Sequence, residues 1–244
     1  MIQTKFQNSE KKPILQSQLL NQEAGIDHYC SMRGFDGAGK NVWMPRQVHG
    51  AGIVVVDEAT PFEAAVELQE VNADAVITRQ PGQWIGVRTA DCVPVLLYDP
   101  VKRIVAAVHA GWRGTVKHIV RLTVERMCET FGTQPADILA MIGPSIGPEA
   151  FEVGEEVAQC FVEAGREECI LRQQYSSIGI VRYPKPHVDL WQSNAMDLLE
   201  AGVDLANIDC TPWCTVEHQD VLFSARKQGI DTGRIVTAIM LKSI

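Results

Sequence analysis

Between positions 74 and 109 the chain passes through four short apolar stretches, residues 74–78, 84–88, 93–98 and 103–109, separated by only a few polar residues. Runs of this length, rich in Val and Ile and bounded by Pro, Gly and Asp, read as strands, and residues 53–56 read the same way. None of the gaps can hold the dozen or so residues of a parallel crossover, so these strands must pair largely antiparallel. The Asp99-Pro100-Val101-Lys102 step predicts the turn of a hairpin. A purely parallel doubly wound sheet is excluded.

Helical periodicity appears around this block. Residues 115–131 place Val116, Ile119, Val120, Thr123, Val124 and Met127 at spacings of three and four, one apolar face of a helix that Gly132 would stop. Residues 154–165 and 189–200 predict two more helices, the second capped near Asp189 and ended by Gly202, and 61–68 predicts a short one. Residues 137–142 and 235–241 read as strands. Strands that follow one another directly, mixed with a few helices, predict an α/β chain of the α+β kind: a layered fold with mixed, largely antiparallel sheets flanked by helices. No repeat, linker or compositional shift divides it, so residues 1–244 are expected to form a single catalytic domain.

Charge narrows the function. With 22 Lys plus Arg against 30 Asp plus Glu, the net charge of −8 argues against a nucleic-acid partner. No apolar run approaches the roughly 20 residues of a membrane span, and the opening MIQTKFQNSEKK lacks the pattern of a signal peptide, which leads to an expectation of a cytoplasmic protein without a membrane partner. Seven scattered Cys, an odd number, read as reduced thiols. The oligomeric state is not legible.

Three segments carry side chains suited to chemistry: Arg46-Gln47-Val48-His49-Gly50, Thr89-Ala90-Asp91-Cys92, and Val108-His109-Ala110-Gly111-Trp112-Arg113-Gly114. Each lies in a Gly-flanked loop or at a strand end, where a rigid scaffold can present a group to a ligand. They are too far apart in sequence for a finger-type knuckle. Folded together, two His and one Cys would suit a catalytic zinc site of three protein ligands with an open fourth position. Two other readings fit the same residues. Cys92 suits a thiolate nucleophile activated by His49 or His109, and all three residues suit a buried structural cysteine beside two hydrogen-bonded histidines. Asp91 would orient a histidine in either chemical scheme. Arg113, at a helix entry, suits an anion such as phosphate, a structural ion pair being the alternative. Arg226 and Lys227 would add a second positive wall, a plain solvated basic turn being the alternative.

The segments RQVHG, TADCVPVLLYD, VAAVHAGWRGT, IGPSIG followed by FEVGEEV, PHVDLWQSNAMDLLEAGV and FSARKQGIDTGR resemble, in order and local sequence, the bacterial YfiH-type laccase-domain family. That family was long labelled multicopper polyphenol oxidase and later assigned as purine nucleoside phosphorylase. The resemblance implies a single-domain layered fold shared with a bacterial toxin's deamidase domain. It further implies a zinc-dependent enzyme that phosphorolyses adenosine and inosine, with adenosine deamination and methylthioadenosine cleavage as related activities. Orthophosphate and a purine nucleoside are then the partners, and the zinc ligands carry over onto His49, Cys92 and His109. Arg33, Arg46, Gln47, Arg113, Arg226 and Lys227 are the expected substrate and phosphate contacts. Copper is disfavoured, because a blue copper centre with a trinuclear cluster needs more His than the six present. A cysteine hydrolase or a metal-binding module without turnover are the remaining readings. The chain departs from the family pattern at Gly34–Asn41, where a Gly-rich connection replaces a longer stretch, and at Lys227-Gln228, where Arg-Asp is usual.

Overall fold

The computed structural model describes residues 13–56, 70–172, 174–175 and 181–243, and the short helix read at 61–68 lies outside them. In chain order the strands begin with β1 (Ile14–Leu15), β2 (Ile26–Ser31), β3 (Val42–Trp43), β4 (Ile53–Val56), β5 (Ala75–Thr78), β6 (Trp84–Thr89), β7 (Val93–Asp99) and β8 (Ile104–Ala110). They continue with β9 (Leu139–Ile142), β10 (Ile170–Leu171), β11 (Gln174–Tyr175), β12 (Val181–Arg182), β13 (His187–Val188), β14 (Ile208–Cys210) and β15 (Ile235–Leu241). The helices are α1 (Trp112–Thr115), α2 (Ile119–Phe131), α3 (Glu155–Glu163), α4 (Leu190–Glu200) and α5 (Ala225–Gln228).

Two sheets and a helical layer make the mixed α+β fold. One sheet has the order β1-β2-β15-β6-β3 and the other β14-β9-β7-β8-β5-β4. Pairing is antiparallel except at β3–β6, β4–β5 and β9–β14. Two small ribbons, β10–β13 and β11–β12, lie apart from these sheets.

The second sheet is the middle layer, and its central strands are buried on both faces, which is why β7 and β8 read as continuous apolar runs. Strand parity sorts their side chains. Val93, Val95 and Leu97 of β7, with Ile104, Ala106 and Val108 of β8, pack against Ile119, Val124 and Met127 of α2 and Leu198 of α4. Leu96 and Tyr98, with Val105 and Ala107, face the first sheet and pack against Ile85, Val87, Ile235 and Ile239. His109 shares the parity of Val105 and Ala107.

The hairpin and helix readings hold with one correction. At the β7–β8 turn, Asp99 Oδ1 accepts the amides of Val101 and Lys102 at 2.8 and 2.9 Å. The helix read from 115 to 131 is two pieces, because His118 takes a left-handed φ of 57° between α1 and α2. Its imidazole Nδ1 lies 2.9 Å from Asp197 Oδ1 on α4, and Arg166 donates to the same oxygen at 2.7 Å. This buried contact repays the backbone distortion. The apolar face of α2 is the one expected, and Gly132 ends it with φ 69°.

Asp189 caps α4 as the sequence suggests, its Oδ1 accepting the Gln192 amide at 2.9 Å. Asp189→Ala removes that acceptor and should lower unfolding free energy by about 1 kcal/mol, read as a shifted denaturant midpoint with unchanged slope. Among the described residues no helix is long and apolar enough to cross a membrane.

Candidate metal centre

His49 and Cys92 both lie where the chain crosses from one sheet to the other. Residues 44–52 join β3 to β4, and residues 90–92 join β6 to β7. His109, next to last in β8, enters by its parity. The three ligand atoms lie within 4.8 Å of one another, and the two imidazoles meet edge to face with centroids 4.8 Å apart.

Small residues let these segments approach. A Cβ on Gly111 would come within 3.1 Å of both Cys92 Sγ and His49 Cδ2, and one on Gly114 would meet the Gly50 carbonyl oxygen at 3.0 Å. The two glycines of Gly111-Trp112-Arg113-Gly114 are thus needed by the site's packing, one against the ligands and one against the His49 loop.

Asp74, buried at the start of β5, organises two of the ligands at once. Its Oδ1 lies 2.7 Å from His109 Nδ1 and accepts the His49 amide at 2.9 Å, while Oδ2 accepts the amides of Gly50 at 2.7 Å and Val48 at 3.3 Å. His49 itself has φ 57°. Burial pushes the Asp74 carboxyl up, but the bonds from His109 and the loop amides outweigh it, and its pKa lies below the ordinary value. With Nδ1 engaged, His109 turns Nε2 toward the other two donors, the usual outer-shell arrangement of a metal-binding imidazole.

The donors are also electrically matched. Burial would raise the Cys92 thiol, yet hydrogen bonds from His109 and His49 bring it down to about 6. Burial would lower His109, and its bonds to Asp74 and Cys92 instead carry it up to about 9. A thiol already acidic, one imidazole fixed by a carboxylate and a second imidazole suit a divalent metal with affinity for sulfur and nitrogen. Among the described residues this is the one group of three such donors. Elsewhere, His28 Nε2 accepts the Ser17 amide, His118 meets Asp197, His187 Nδ1 meets the Lys185 carbonyl, and His218 stacks on Trp213. Cys214 accepts the Gly147 amide.

The donors open onto a cavity of about 520 Å³ whose lining includes Met44, Arg46, Gln47, Arg88, Thr89, Ile230 and Arg234. Of the residues singled out in the sequence, His49, Cys92, His109, Arg46 and Gln47 come together here. The others lie elsewhere. Asp91 accepts Thr215 Oγ1 and the Arg226 amide, both at 2.6 Å, so the carboxylate that bonds a histidine of this centre is Asp74. Arg33 donates to the carbonyls of Gln219 and Leu222 and to Gln228 Oε1, and lies over the Phe223 ring. The Arg226 guanidinium donates to the carbonyls of Ala150 and Glu152. Arg113 stacks on Trp112 and, like exposed Lys227, is outside the cavity lining. Asp74, Arg88 and Arg234 are the site residues that sequence reasoning missed. The parity of β6 marks Arg88 only as facing away from the buried side of the strand.

The sequence model of the family described as multi-copper polyphenol oxidoreductase laccase matches residues 27–242. A purine nucleoside phosphorylase of Bacteroides thetaiotaomicron is 41% identical over 212 residues, which cover 86% of this chain and 77% of that protein. A protein named adenosine deaminase RL5, from an unknown prokaryotic organism, is 40% identical over 206 residues, 82% of this chain and 74% of its own length. Among solved structures, the YfiH protein of Bacillus licheniformis superposes with a TM-score of 0.80 over 95% of this chain and 98% of that one, at 24% identity.

Proposed function

This chain belongs to the YfiH-type laccase-domain family, whose model carries the description multi-copper polyphenol oxidoreductase laccase, and on that footing we propose that it is a zinc-dependent purine nucleoside phosphorylase acting on adenosine and inosine. The observation that carries this reading is the gathering of His49, Cys92 and His109 at a cavity whose lining, among the described residues, holds arginines and no carboxylate. A trinuclear copper cluster finds no second set of donors among the described residues.

In phosphorolysis an orthophosphate oxygen forms a bond to C1′ of the ribose while the N-glycosidic bond breaks. The electron pair of that bond leaves with the purine, which takes up a proton, and ribose 1-phosphate is the other product. The chain's part is to hold the anion beside the sugar, place the nucleoside, and keep both in a fixed polar surrounding. Arg46 supplies positive charge at the cavity wall, and Met44 with Ile230 offers apolar surface to a purine. Zinc would be held by His49, Cys92 and His109, and when bound it supplies Lewis-acid polarisation to an oxygen in the cavity.

Adenosine deamination is the second reading, favoured by a metal-ligand set facing an open cavity and by the name of the 40% identical relative. Water adds at C6 and ammonia leaves. Methylthioadenosine cleavage would follow the phosphorolytic path.

The purified, zinc-loaded protein incubated with inosine should release hypoxanthine and ribose 1-phosphate in proportion to added phosphate. Hypoxanthine release that ignores phosphate, or no release from inosine or adenosine, would remove the phosphorylase reading.

A further inference from the structure

Strand β3 pairs with β6 only over Val42 and Trp43. Beyond that short contact the side chain of Gln47 takes the place of a neighbouring strand. Its Oε1 accepts the Arg88 amide and its Nε2 donates to the Arg88 carbonyl, each at 2.8 Å. Both main-chain groups of Arg88 on this edge are engaged, and its Cα is fixed relative to the His49 loop. Along β6 the side chains of Ile85, Val87 and Thr89 are buried, so parity sends the exposed Arg88 to the other face, where it lines the cavity.

Among the described residues the cavity lining has three guanidiniums and no Asp or Glu, in a chain whose net charge is −8. Arg234 is committed to its own loop, donating to the carbonyls of Ile230, Thr232 and Gly233. Arg46 is held through its main chain by Val71 and Ala73. Among the described residues, no ion pair or side-chain hydrogen bond engages the guanidinium of Arg46 or of Arg88. Two unspent planar cations carried on adjoining, backbone-fixed segments make a site for a tetrahedral oxyanion, which a guanidinium meets through paired N–H donors.

We propose that Arg88, together with Arg46, is the clamp that binds free orthophosphate at the metal cavity. This rests on the phosphorylase reading above and moves the anion site from the α1 entry at Arg113 to the β6 side of the cavity. Arg88 is then a specificity residue for the second substrate, and Gln47 is the positioning residue that holds it.

The test uses the zinc-loaded protein, with inorganic phosphate titrated by calorimetry and phosphate and inosine varied in the steady state. Arg88→Gln and Arg46→Gln should each raise both the Kd and the KM for phosphate about tenfold or more, the scale of a lost charge-assisted hydrogen bond. The inosine KM should stay within about twofold, so that the loss falls on phosphate, and Arg88→Lys should recover part of it. Arg126→Gln, a surface charge removed from α2, controls for net charge and should change nothing. If the protein phosphorolyses inosine and neither cavity variant moves the phosphate KM, the clamp is wrong and the phosphorylase reading stands. If the wild type shows no phosphorolysis, that reading fails and calorimetry decides the clamp. Arg88-dependent binding of inorganic phosphate keeps it, and absent binding overturns it. Arg88-dependent binding of inosine 5′-monophosphate without binding of free phosphate also overturns it.

Discussion

Cys92→Ala should leave a folded protein that no longer carries stoichiometric metal and turns over nucleosides at least about a hundredfold more slowly, since losing a ligand exceeds the 10–100-fold effect of losing an outer-shell partner. Metal analysis after gel filtration, beside steady-state rates, checks both halves. Cys92→Asp distinguishes metal chemistry from thiolate chemistry at the same position. A carboxylate can still bind zinc, so measurable metal and residual activity should persist, whereas a covalent nucleophile cannot be replaced in this way. Activity that survives full metal removal but is lost on alkylating Cys92 would favour the cysteine hydrolase. In the metal-depleted protein the alkylation rate should fall as pH drops through about 6, because only the thiolate reacts. Metal affinity should weaken over the same range, as protons compete for the sulfur.

Asp74→Asn should be nearly as damaging although Asp74 is not itself one of the three donors. The carboxylate has two acceptor oxygens, and both are used: one by His109 Nδ1 and the His49 amide, the other by the amides of Gly50 and Val48. An asparagine keeps one acceptor and sets an N–H₂ against donors on the other side, so either the His49 loop or the His109 ring loses its hold. The expected result is a 10–100-fold loss of metal affinity, with about 1–3 kcal/mol less stability from the unmatched buried donor. Retained stoichiometric zinc at wild-type affinity would reduce Asp74 to a packing role. The pH dependence has a definite sign. A carboxyl whose folded pKa lies below its unfolded value contributes stability above that unfolded value, near 4, and loses it as pH falls through the folded one. The wild type should therefore show an acid-side loss that Asp74→Asn lacks. His109 works in the opposite sense in the metal-free protein, with its contribution present below about 6.5 and lost as pH rises through about 9.

The middle sheet and the donor triad were legible in the sequence for different reasons. Strands β7 and β8 carry long apolar runs and a turn with its own local chemistry at Asp99, and α2 carries an unbroken apolar face, so periodicity alone recovers them. His49, Cys92 and His109 stood out because their residue types are scarce and their flanks small. The two-residue strands β1 and β3 have no period to detect. The left-handed turn at His118 depends on Asp197 and Arg166, which come from distant parts of the chain. Asp74 and Arg88 escaped notice for a related reason. A short acid at a strand start and an arginine near a strand end have no local mark of function, and their roles come from the register that sets β5 beside β8 and from the carboxamide of Gln47. Arg33 and Arg226 were the converse: positive charge in a distinctive motif, spent in the fold on backbone carbonyls.

Two of the three donors are carried by the connections between the sheets, and the third projects from the inner face of one of them. The spacing of the donors is therefore a readout of how the sheets are seated on each other. A sliding of one sheet by a fraction of an ångström would reach the sulfur and the two imidazoles before it disturbed any single strand. The apolar layer made by Leu96, Val105, Ile85 and Ile239 then acts as the calliper of the metal site. A side chain shortened there should therefore be felt in the spacing of the three donors without altering one residue that lines the cavity.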